Sequence, residues 1–81
     1  MGIIVAKPKG NSSFIVKEQA VGTPNGVLTR FETSKDYSPN TLSVFLNGVR
    51  ERYASELGNK QFEFSSPPRT GFLIDVEYVI K

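Results

Sequence analysis

Residues 42–53 read Leu42-Ser43-Val44-Phe45-Leu46-Asn47-Gly48-Val49-Arg50-Glu51-Arg52-Tyr53, two alternating runs around an Asn-Gly pair. Asn-Gly in that setting is the strongest short-range hairpin signal, because the favoured two-residue turn needs positive φ at both central positions. The turn pairs Leu46 with Val49, Val44 with Glu51 and Leu42 with Tyr53. Strand alternation then sends Leu42, Val44 and Leu46 to one face, the core face. Phe45 and Arg50 come to lie opposite each other on the outward face.

The same period of two runs through the rest of the chain. Phe72 to Ile80 sends Phe72, Ile74, Val76, Tyr78 and Ile80 one way, and Leu73, Asp75, Glu77 and Val79 the other. Gln61 to Phe64 places Phe62 and Phe64 on one face. Val27 to Thr33 and Phe14 to Val21 read as further strands. Between them lie turn-forming runs, Gly22-Thr23-Pro24-Asn25-Gly26 and Ser65 to Gly71, and a loop from Ser34 to Asn40 that holds Tyr37 and Pro39. Val49 to Leu57 is the only helix-tolerant stretch, and it has no clear apolar face. The expected fold is all-β, a small antiparallel β-sandwich or partly open barrel over residues 14–81. Residues 1–13 form an N-terminal strand or arm around Ile3, Ile4 and Val5. The expected core is Phe31, Leu42, Val44, Leu46, Phe62, Phe64, Ile74, Val76 and Tyr78.

Composition narrows the chemistry. The 81 residues include no Cys, no His and no Trp. This excludes a disulfide framework, a Cys/His zinc site, a thiol nucleophile and a histidine base. Ten basic against eight acidic residues leave +2, scattered along the chain, where a nucleic-acid binder more often carries a run or stripe. The longest apolar run, Ile3 to Ala6, is too short to span a membrane or to form a signal-peptide core. A core of this size rarely supplies more than about 3–5 kcal/mol. Self-association or docking on a larger body is therefore expected.

No residue set requires catalysis. Gly22 and Gly26 lack the lysine and helix of a phosphate loop. Asp75 and Glu77 share a strand face at about 7 Å, a spacing that carboxylate pairs in glycosidases also show, but on a face read as solvated. With the nearby carbonyls they form only a weak cation site, because calcium takes about 6–8 oxygens. No Ser–Lys pair stands out, and Asn11-Ser12-Ser13 matches a glycosylation sequon without a secretion signal before it. Phe45 and Arg50 have the right chemistry to stack on a sugar or a base, or to sit in a subunit interface. No cofactor, no metal and no enzymatic activity is expected.

From Phe31 to Tyr78 the sequence resembles a small β module of tailed-bacteriophage structural proteins. The resemblance rests on Phe31-x-Thr33, on Tyr37-x-Pro39-x-Thr41-Leu42-x-Val44-Phe45-Leu46-Asn47-Gly48-Val49-Arg50, on Phe62-x-Phe64, and on Pro67-Pro68-x-x-Gly71 followed by Ile74-x-Val76-x-Tyr78. Such modules occur in tail-fibre, tail and head-accessory proteins, often within longer chains. The resemblance implies a non-enzymatic virion structural protein, either a capsid decoration or cement protein or a head–tail accessory protein. Its partners would be itself, as a homo-oligomer, and other virion proteins such as a major capsid or tail protein. It would be made in the host cytoplasm and would engage no membrane. The interface residues this suggests are Ile3, Ile4, Val5, Phe45 and Arg50, with Asn47 and Gly48 as the turn. Two alternatives differ in class. One is a glycan-binding module of a tail or fibre that uses exposed Tyr37, Phe45 or Tyr53. The other is a single-strand nucleic-acid-binding β-barrel.

Overall fold

A computed structural model of the chain describes residues 15–81. The arm expected at residues 1–13, with Ile3, Ile4 and Val5, lies outside them. The described residues form seven strands and no helix. They are β1 (Ile15–Gln19), β2 (Arg30–Glu32), β3 (Ser43–Leu46), β4 (Val49–Arg50), β5 (Ala54–Gly58), β6 (Gln61–Phe64) and β7 (Ile74–Val79). A four-stranded antiparallel sheet runs β1-β7-β3-β4, and a three-stranded one runs β2-β6-β5. The two pack face to face, so the chain is a small all-β sandwich.

Alternation builds the core. Val44, Ile74, Val76 and Tyr78 point inward from the first sheet, and Phe31, Phe62 and Phe64 from the second. The register puts Val44 beside Val76 and Leu46 beside Ile74. In the second sheet Phe31 lies beside Phe62. Phe64 stands edge-on to Phe31 at 5.6 Å and to Phe62 at 5.8 Å. Such pairs contribute about 0.5–1.5 kcal/mol each beyond their burial. Leu42 and Leu46 are half-buried against this cluster. At Gly22 the backbone lies so close to the Phe31 ring that a Cβ would stand 2.8 Å from Cδ2, and φ is +118°.

The hairpin forms as its sequence dictates. Asn47 (φ 52°) and Gly48 (φ 85°) make the turn, Leu46 faces Val49 and Phe45 faces Arg50. The pairing continues to Glu51, whose N–H donates to the Val44 carbonyl at 2.8 Å. Beyond it the chain leaves for the other sheet. The expected pairing of Leu42 with Tyr53 does not form, because the Tyr53 carbonyl accepts from the Ser65 N–H instead.

Three other expectations change. Residues 27–29 are not strand, because the Asn25 Oδ1 accepts the N–H groups of Val27 (2.9 Å) and Leu28 (2.7 Å) and curls the chain. Val27 is left 78% exposed. The last strand starts at Ile74, not at Phe72, since Phe72 closes a turn onto the Arg69 carbonyl. The stretch read as helix-tolerant, Val49 to Leu57, holds β4 and all but the last residue of β5. β5 is an edge strand and only Ala54 is half-buried, so its sequence has no need to alternate.

Two substitutions test this arrangement. Val76 is 1% exposed, and Val76→Ala should cost about 2 kcal/mol in urea unfolding through lost burial and a residual cavity. Gly48→Val places a β-branched residue at positive φ and should lower the melting temperature. An unchanged melt would contradict the turn geometry.

Candidate functional site

The outward face of the four-stranded sheet carries the Phe45–Arg50 pair. The three registers join in one row across all four strands: Gln19 faces Asp75, Asp75 faces Phe45, and Phe45 faces Arg50. The next row is Lys17, Glu77 and Ser43. Lys17 Nζ lies 3.4 Å from Glu77 Oε2 in a largely exposed ion pair, which contributes little to stability. Phe45 is half-buried, beside a groove of about 400 Å³ lined by Lys17, Gln19, Asp75 and Glu77. It belongs neither to the buried core nor to the apolar residues packed against it.

A second concavity lies where the sheets part. No ladder joins β3 or β4 to β5. The gap is a cleft of about 380 Å³ with Leu42, Val44 and Ala54 on its floor and Arg50, Glu51, Arg52 and Glu56 around it. Across it the Glu56 carboxylate accepts the N–H groups of Asn40 (2.8 Å) and Leu42 (3.1 Å). Those donors would otherwise have no strand partner.

The opposite seam is closed in the same way. One bridge, Val21 with Glu32, links the sheets there. Beside it Glu18 reaches from β1 to the loop after β2. Its Oε2 accepts from the Ser34 N–H (2.8 Å) and the Tyr78 hydroxyl (2.9 Å), and its Oε1 from the Ser34 hydroxyl (2.6 Å). Burial pushes the Glu18 carboxyl up. The bonds from Ser34 and Tyr78 and the charge of Lys35 outweigh it and hold the group below its ordinary 4.5. Burial, with the Glu18 carboxylate, pushes the Tyr78 phenol above 10.0.

The expected site residues thus separate. Phe45, Arg50, Asn47 and Gly48 come together on the hairpin, while Ile3, Ile4 and Val5 fall outside the described residues. Tyr53 is 72% exposed. Tyr37 is not available to a ligand: it is 2% exposed, with its ring edge-on to Tyr78 at 6.3 Å. Its hydroxyl donates to the Gln61 carbonyl and accepts from the Gly58 N–H, plugging the β5–β6 turn. Among the described residues no group of three or more carboxylates gathers as a metal site. Sequence reading missed Glu18 and Glu56. Their signal is a glutamate at an inward position of an otherwise alternating strand, and it is clear only for Glu18. Comparison with protein families, with curated proteins and with solved structures finds no match.

The lowered Glu18 acidity has a pH consequence. A carboxylate with a depressed folded pKa stabilises above its unfolded value and loses that contribution as pH falls through the folded one. Urea midpoints should therefore drop as pH falls below about 4.5. Glu18→Gln should lose about 1–2 kcal/mol at pH 7 and show a flatter acid limb. An identical pH profile in both proteins would rule out the clasp.

Proposed function

We propose that this chain is a non-enzymatic structural protein of a tailed-bacteriophage virion, a capsid decoration or head–tail accessory protein that assembles by protein–protein contacts. One observation supports this reading above the others. The two segments that carry the resemblance, Thr41 to Arg50 and Pro67 to Tyr78, lie side by side as β3–β4 and β7 of one sheet.

Assembly has the means it needs. The outer edges of β4 and β5 carry no further strand among the described residues. An apolar extended segment adds to such an edge through main-chain hydrogen bonds. Ile3, Ile4 and Val5 form the longest apolar run with Ala6, and Pro8 and Gly10 separate them from the domain. In this reading they dock on a neighbouring subunit.

Two experiments test it. Density-gradient-purified particles from a host carrying this gene should contain the chain by mass spectrometry. Its restriction to the soluble lysate would overturn the virion role. Deleting residues 1–9 should leave a folded β domain by circular dichroism that no longer self-associates by light scattering. An unfolded truncation would assign the segment to the protomer's own core, and an unchanged oligomer would show that it is no assembly arm.

A further inference from the structure

We propose that the outward face of the four-stranded sheet, centred on Phe45, binds a neutral pyranoside. The inference rests on that face alone and is independent of the virion reading. A large aromatic side chain at the centre of a sheet usually earns its place by packing, yet Phe45 takes no part in the core cluster. Its neighbours in the row are Asp75 on one side and Arg50 on the other, with Gln19 beyond Asp75. Neighbouring strands lie about 4.8 Å apart, so Asp75 and Arg50 flank the ring with about 10 Å between their backbones.

That spacing suits a six-membered sugar. The apolar C–H face of a pyranose stacks on a phenyl ring, and its hydroxyls project sideways from the ring rim. Of the residues that line the groove with Phe45, the Asp75 carboxylate accepts from two hydroxyls and the Gln19 amide both donates and accepts. Among the described residues neither Asp75 nor Arg50 is held in an ion pair, whereas Lys17 and Glu77 are paired with each other. The groove of about 400 Å³ beside Phe45 falls within the usual range of small-molecule sites, about 300–1,000 Å³.

Charge selects the ligand class. Lys17 and Arg50 on this face are balanced by Asp75 and Glu77. Of the ten basic residues of the chain, Lys7 and Lys9 precede residue 15, which leaves basic and acidic residues equal in number over 15–81. A phosphate backbone gains its affinity from an excess of Lys and Arg, and this face has none. A neutral polyhydroxylated ring needs no such excess.

The test is amide NMR on the full chain, titrated with methyl α-glucoside, methyl β-galactoside, the corresponding trisaccharides and an oligothymidylate. The expected result is saturable shifts at Gln19, Phe45, Arg50 and Asp75 with one of the sugars. Tighter binding of the trisaccharide would identify a polymeric source, and equal binding a free sugar. Phe45→Ala should weaken binding about tenfold or more while the amide spectrum stays dispersed. Asp75→Asn, on an exposed position, should weaken it without removing the stacking platform. No saturable shift with any glycoside overturns the proposal. So does unchanged affinity in both variants, or binding confined to the oligothymidylate and lost with added salt.

Discussion

Two sheets of short strands meet along seams that backbone pairing closes only in part, and a glutamate spans each seam. Glu18 takes three hydrogen bonds from Ser34 and Tyr78, and Glu56 takes the N–H groups of Asn40 and Leu42. Each carboxylate satisfies backbone donors that a continuous barrel would pair by ladder. Charge-assisted bonds are about twice as strong as neutral ones, which suits groups that must hold a loop in place with few contacts. They tie the segments 34–35 and 40–42 to the strands beside the core.

The core depends on this closure. Tyr78 is fully buried, yet its hydroxyl reaches the seam, donating to Glu18 and accepting from the Lys35 N–H. A buried phenol left unpaired would carry a desolvation cost of about 1–3 kcal/mol. Tyr37 plays the matching part at the β5–β6 turn, between Gly58 and Gln61. The three phenylalanines fill the space between these two phenols and the aliphatic residues of β3 and β7. Aromatic volume replaces chain length here, because strands of two to six residues can supply few inward positions.

Phe45 and Asp75 stand outside the core cluster, on the outward face of the four-stranded sheet. The central pair, β3 and β7, holds the backbones of Phe45 and Asp75 side by side. Among the described residues the sheets end at β1 and β4 and at β2 and β5, and on the β1–β2 side one bridge, Val21 with Glu32, links them.

The hairpin at Asn47-Gly48, the inward positions of β3, β6 and β7 and the all-β class were legible in the residues. These are local properties: the strand period is two, and Asn-Gly tolerates the positive φ that the turn requires. The pairing of Phe45 with Arg50 followed from the same turn. What local pattern does not encode is which segment an edge or a loop will find. β5 has a sequence without alternation because beyond Ala54 neither of its faces is buried, and Val27 leaves its strand because the Asn25 side chain captures its N–H. Tyr37 sits in a polar loop and is nonetheless core, since that loop folds against the β5–β6 turn and the end of β7. The row that joins Gln19, Asp75, Phe45 and Arg50 spans residues far apart in the chain. Strand order alone brings them together, and strand order is a long-range outcome of packing two aromatic faces against each other.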